Sequence, residues 1–244
     1  MCHPTPLYIN SFADPLICRF PERNKVPDFT TFSSLLRITE KYEMPTVRSQ
    51  ILEVIRDAYP ATFEGLDPSK VLGEAVFSGT TPHPNAVLNL FVQQKLTSAL
   101  PMAYYMAVRR GPDSLMDARF PASAWLPPGI LQVAIKGLFA LREMELREIN
   151  RLILGPKGSR HSLSMCSSCS AAGLGVSEAH QRVIDQIADS SRSGTRLLQV
   201  LSLGEICGDH HGFCESCVKE WEYGHAEVRK KAWAALPHVF GLKT

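Results

Sequence analysis

The sequence predicts an all-α protein, or one nearly so. Three observations carry that reading. From Asp28 onward the apolar residues recur at three- and four-residue intervals, the period of a helix with one buried face. Prolines and glycines fall at the edges of these stretches, at Pro45, Gly111-Pro112, Pro127-Pro128 and Gly155-Pro156, where they start or stop helices. Leu131, Ile135, Leu138, Leu146, Ile149 and Ile153 then mark one stripe along a stretch from about Gly129 to Leu154.

Residues 1–27 hold Pro4, Pro6, Pro15 and Pro21 with little periodicity and are expected to form an irregular arm. Within residues 28–67, Phe32, Leu35, Leu36 and Thr39 share one face of a first helix. Pro45 ends that helix and suits the first turn of a second, whose stripe is Val47, Ile51, Val54, Ile55 and Ala58. A lone pair of helices buries too little surface to be stable. The stripe around Leu36, Ile51 and Ile55 must therefore dock on later helices or remain a recruiting surface.

Residues 68–156 predict a helical extension. Asn85 to Leu96 and Leu100 to Arg109 read as two helices separated near Pro101 and stopped by Gly111 and Pro112. The long helix follows, as the expected spine of the C-terminal half. Its opposite face reads as polar, with Glu143 and Arg147 in the favourable i,i+4 order and Glu148 beside Leu152. Residues 157–175 are rich in serine and glycine and read as a loop.

Residues 176–244 hold a helix from Ser177 to Asp189 and a final helix entered from Gly212. There Cys214, Cys217, Val218, Trp221 and Val228 mark one side, while Lys219, Glu220, Arg229, Lys230 and Lys231 mostly line the other. Pro237 is expected to end this helix, so that Phe240 and Leu242 fold back as an apolar plug. Trp221, Trp233 and Phe240 are core candidates.

The cysteines carry the strongest chemical signal. Seven cysteines are present, and Cys166–Cys169 and Cys214–Cys217 are both C-x-x-C pairs, a spacing that lets two thiolates reach one ion from a tight turn. Two pairs complete the tetrahedral set that Zn²⁺ prefers. Cys207, His210 and His211 offer substitutes, since Cys207, either histidine, Cys214 and Cys217 lie within a single short stretch. Structural zinc is the cofactor this pattern predicts. The competing reading is plain thiols, with Cys207 a small core residue and Cys166 and Cys169 exposed.

Composition narrows the classes further. The chain has 244 residues, 45% hydrophobic and 20% charged, which suits one or two globular domains. With 26 basic and 24 acidic residues interspersed and a net charge of +2, no electrostatic footprint for nucleic acid or an anionic membrane stands out. No apolar stretch approaches the length needed to span a bilayer, and the expected location is the cytosol or the nucleus. A G-x-S-x-G elbow, a P-loop, an H-E-x-x-H helix and a dinucleotide fingerprint are all missing. The sequence therefore predicts no enzymatic activity and no small-molecule substrate.

Residues 36–60, LRITEKYEMPTVRSQILEVIRDAYP, resemble the helical end of a BTB/POZ domain. Phe32, Leu35, Leu36, Lys41, Tyr42 and Pro45 match its pattern of an apolar helix ending at a KY-x-(V/M)-P break, and Tyr59, Pro60 and Asp67 continue it. Leu100, Pro101, Ala103 and Tyr105, with Trp233, Leu236, Pro237, Phe240, Gly241 and Leu242, are similar to fungal BTB proteins. The resemblance runs from about Asp28 onward and implies that the β-sheet half of the BTB core is missing.

What the resemblance implies is a protein–protein interaction module. Its expected partners are other BTB proteins or a cullin, with an adaptor role in a cullin-based ubiquitin ligase as the sharper version, and Leu36, Tyr42, Ile51 and Ile55 as the interaction surface. A family-type homodimer is not expected, and cullin binding by this chain alone is expected to be weak or absent. Two further readings stand beside it: a zinc-stabilised nucleic-acid-binding or transcription-regulatory protein, and a truncated gene product without independent function.

Overall fold

A computed structural model describes residues 27–56, 58–66, 77–79, 81–117, 122–154, 195, 197–198 and 214–243. Among these residues there are seven α-helices, two short 3₁₀ turns and no strand. The chain divides into two compact units, Met1–Ala58 with Gly73–Pro82, and Tyr59–Leu72 with His83–Thr244.

The first unit is built on helices α1 (Phe29–Lys41) and α2 (Pro45–Arg56), which pack on each other as the periodicity predicts. Asp28 caps α1, its carboxylate accepting from the Thr31 backbone N–H at 2.9 Å and the Thr31 hydroxyl at 2.7 Å. Those hydrogen bonds hold the Asp28 carboxyl below its ordinary pKa. At the other end of α1, Glu43 takes a left-handed φ of 52°. The Met44 N–H then returns to the Thr39 carbonyl at 2.9 Å, closing a Schellman motif just before Pro45 starts α2. Phe32, Leu36, Thr39, Ile51 and Ile55 are buried, and Phe29 and Phe32 both set ring edges against Phe77.

The second unit carries α3 (Pro84–Gln93), α4 (Leu100–Val108), α5 (Pro112–Met116), α6 (Pro128–Leu154) and α7 (Glu215–Val239), with 3₁₀ turns at Phe63–Gly65 and Ala122–Ala124. Pro101 lies in the first turn of α4, where its missing N–H costs nothing. Every residue of α4 from Met102 to Val108 is buried, as in a helix surrounded by others. α3, α5, α6 and α7 all touch it or its neighbours.

α6 and α7 run antiparallel. Gly137 in α6 faces Phe240 at the end of α7, and Leu152 near the end of α6 faces Gly224. A Cβ at either glycine would collide with the opposing side chain, so both positions are tied to close approach. Phe240 also stacks on Tyr104 at 4.8 Å between ring centroids, which realises the expected apolar plug for Phe240, while Leu242 is only half-buried.

Several expectations need correction. The buried line of α6 is Ala134, Leu138, Leu141, Glu145, Ile149 and Leu152. Leu146 lies outside it, 39% exposed, because the spacing that fits the neighbouring helices passes through Glu145 instead. Glu148 and Leu152 do not form a polar face either: Leu152 is buried, and Glu148 has ion contacts to Lys231 at 3.6 Å and Arg147 at 3.7 Å. In α7, Arg229 is buried beside Val228 and Ala232.

Pro237 does not end α7, which continues to Val239. The stop comes at Gly241, whose φ of 62° lets the Leu242 N–H reach the Pro237 carbonyl at 2.8 Å.

Candidate functional site

The densest polar arrangement among the described residues lies inside the second unit, where α4, α6 and α7 converge on Thr195, Leu197 and Leu198. All three of these residues are buried, so their backbone groups need partners from protein. The Leu198 N–H donates to the Tyr105 phenolic oxygen of α4 at 3.1 Å, and the Arg229 Nε–H of α7 donates to the Leu198 carbonyl at 2.9 Å. The Thr195 hydroxyl donates to Oε2 of Glu145 in α6 at 3.0 Å while accepting from the Leu197 N–H at 3.3 Å.

Burial sets the electrostatics of this cluster. It pushes the Tyr105 phenol well above its ordinary pKa, with the Glu145 carboxylate adding to the effect. Burial also lowers Arg229, partly offset by Tyr105. One turn before Arg229, His225 stacks on Trp221 at 5.5 Å and 14°. Burial, helped by the Arg229 charge, pushes its pKa down to about 4, so it is neutral at pH 7. The Arg229 guanidinium lies 5.7 Å from the Phe63 ring centroid, a cation–π position.

These groups direct their donors and acceptors at one short stretch of backbone. The arrangement therefore holds a peptide segment in place, with Leu197 and Leu198 filling the space between helices. Sequence reasoning missed Tyr105, Glu145, Thr195 and Arg229 as a set. The available signal was a charge inside an apolar line: Glu145 between Leu141 and Ile149, and Arg229 on the face of Trp221, Ala232 and Leu236.

The candidate metal ligands separate into two groups. Cys214 is the half-buried N-cap of α7, and Cys217 is buried in its first turn. Cys166, Cys169, Cys207, His210 and His211 lie outside the described residues. Among the described residues no three histidine, cysteine or carboxylate side chains gather at one point. Cys214 and Cys217, three positions apart at a helix entrance, fit half of a structural zinc set in residue type and spacing.

Of the four candidate interaction residues, the structure buries Leu36, Ile51 and Ile55 and exposes Tyr42. Tyr42 is 64% exposed, with Ile38 one turn before it and Met44 just after it also exposed. No described helix is long and apolar enough to cross a membrane. Compared with known proteins, the chain matches no family model, no curated protein and no solved structure.

Proposed function

We propose that the chain is a protein–protein interaction module of the BTB/POZ kind, working in the cytosol or nucleus with BTB proteins or a cullin as partners and without a reaction of its own. The observation that supports this reading is the exposed corner between α1 and α2. Ile38 and Tyr42 share a helix face by their four-residue spacing, and Met44 follows in the turn. Exposed apolar groups in a cluster are costly to leave in water and are characteristic of surfaces that meet other proteins.

The KY-x-(V/M)-P pattern that carries the resemblance lies at this same corner, with Lys41 over the Tyr42 ring at 5.4 Å. Within the four-residue set, the role passes to Tyr42, while Leu36, Ile51 and Ile55 supply the packing beneath it. Pull-downs against a purified BTB domain and a cullin N-terminal domain test this. The double variant Ile38→Ser, Tyr42→Ser should lose binding with unchanged helicity, and wild-type protein that binds neither partner refutes the reading.

Structural zinc belongs to the same proposal, held by Cys214 and Cys217 with the remaining ligands from Cys166, Cys169, Cys207, His210 and His211. Elemental analysis should give close to one equivalent of zinc, lost in the double variant Cys214→Ser, Cys217→Ser. A folded, metal-free wild type refutes it.

A further inference from the structure

Two exposed faces of the second unit carry charge of opposite sign that is unmatched among the described residues. On α6, Phe139 is 61% exposed and Leu146, seven positions on, 39% exposed. That spacing puts both on one face. Lys136 and Arg142 flank Phe139 at three positions either side, and neither has an ion-pair partner among the described residues. Glu143 is the carboxylate on that face, and Arg147 at its edge adds another cation.

On α7, the half from Glu215 to Glu227 carries Glu215, Glu220, Glu222 and Glu227 against Lys219. Lys219 is bonded to Glu215 at 2.6 Å. Glu220, Glu222 and Glu227 have no ion-pair partner among the described residues. Tyr223, 60% exposed, sits among them, with Glu220 three positions before and Glu227 four after on its own face.

We propose that the outer face of α6 around Phe139 and Leu146 docks on the N-terminal half of α7, around Tyr223, of a second copy of this chain. The occupant is identified by complementarity: cations without an ion-pair partner among the described residues beside two apolar side chains on one face, and carboxylates equally unpaired among those residues beside an aromatic on the other. Phe139 and Leu146 leave water against the Tyr223 ring, while Lys136 and Arg142 meet Glu220 and Glu227. Apolar contact supplies the affinity, and the charges fix the register and disfavour like faces. The surface shares no residue with the α1–α2 corner and does not depend on the function proposed for it.

Light scattering on the full chain over a concentration series tests the pairing. The mass should rise above the 27.0 kDa of one copy, and the association should weaken without disappearing in about 1 M salt, where charge attraction is screened within a few ångströms. The variants Lys136→Glu with Arg142→Glu, and Glu220→Lys with Glu227→Lys, should each remain at one copy when alone and should associate when mixed. Phe139→Ser should weaken association, whereas Tyr42→Ser should leave it intact.

All of these side chains reach the surface, so far-UV circular dichroism should match wild type in every variant. A wild type that stays at one copy at all concentrations overturns the proposal and leaves the two faces to a different protein. Reversed-charge variants that self-associate as wild type does, or a mixture that stays at one copy, overturn it equally.

Discussion

Arg229 reaches from α7 to the carbonyl of Leu198 at 2.9 Å, and the opposite side of the same residue, its N–H, is held by Tyr105 of α4 at 3.1 Å. Both polar groups of Leu198 are thus satisfied by side chains, in a position where water cannot reach. Arg229→Met keeps much of the apolar stem but removes the donor and the charge over Phe63. Leaving a buried carbonyl unpaired after losing a bond to a charged group costs about 2–3 kcal/mol. The exposed neighbour Lys230→Met should change stability by under about 0.5 kcal/mol. Chemical denaturation of the two variants measures the difference, and equal midpoints would contradict the role assigned to Arg229.

His225 makes stability depend on acid. Its folded pKa of about 4 lies below the ordinary 6.5, so the unfolded chain binds the proton more readily. The stability from keeping the ring neutral is whole above pH 6.5, declines as pH falls below it, and is lost by about pH 4. A gap of this size corresponds to roughly 3 kcal/mol. Replacing the ring with one that does not titrate, as in His225→Phe, should flatten the curve between pH 6.5 and 4 relative to wild type. Parallel curves over that window would show that His225 does not carry the effect.

The hairpin was legible because its signals are local. From Asp28 the apolar residues repeat at helical spacing and Pro45 breaks the pattern and starts α2, so a short window holds the information. The C-terminal plug was legible for the same reason. The buried polar cluster was not: Glu145 pairs with Thr195 across 50 positions, and Arg229 with Leu198 across 31. A charge on a helix reads as solvent-facing until a distant partner is known. In α6 that rule moved the predicted stripe onto Leu146 and away from Glu145.

Gly137 is where helix contact depends on one missing carbon. Its Cα faces the Phe240 ring so closely that a methyl group there would overlap two ring carbons. Phe240 is itself held by its stack on Tyr104, so it cannot retreat without giving up buried aromatic contact. Gly137→Ala has the better helix propensity by about 1 kcal/mol, yet overpacking of a filled core costs typically 1–3 kcal/mol. The net effect should be destabilising. Adding Phe240→Leu to Gly137→Ala should recover part of the loss, and thermal melts of the single and double variants should reveal that coupling. Purely additive effects would show that the two residues do not compete for one space.

Helix α3 ends with the same backbone device as α7 but with a different residue at the strained position. Lys95 holds a φ of 54° while the Leu96 N–H returns to the Phe91 carbonyl at 3.0 Å, and Gly241 holds 62° at the equivalent place in α7. A side chain in the left-handed region costs about 1–2 kcal/mol, part of which glycine returns through its greater freedom in the unfolded chain. Lys95 is exposed, so its replacement disturbs little else. Lys95→Gly should therefore raise stability by about 0.5–1 kcal/mol, and Gly241→Ala should lower it by a similar amount even though nothing crowds the new methyl group. Opposite shifts in denaturation midpoint are the expected signature, and shifts of the same sign would mean that side-chain contacts, not the backbone angle, decide both sites.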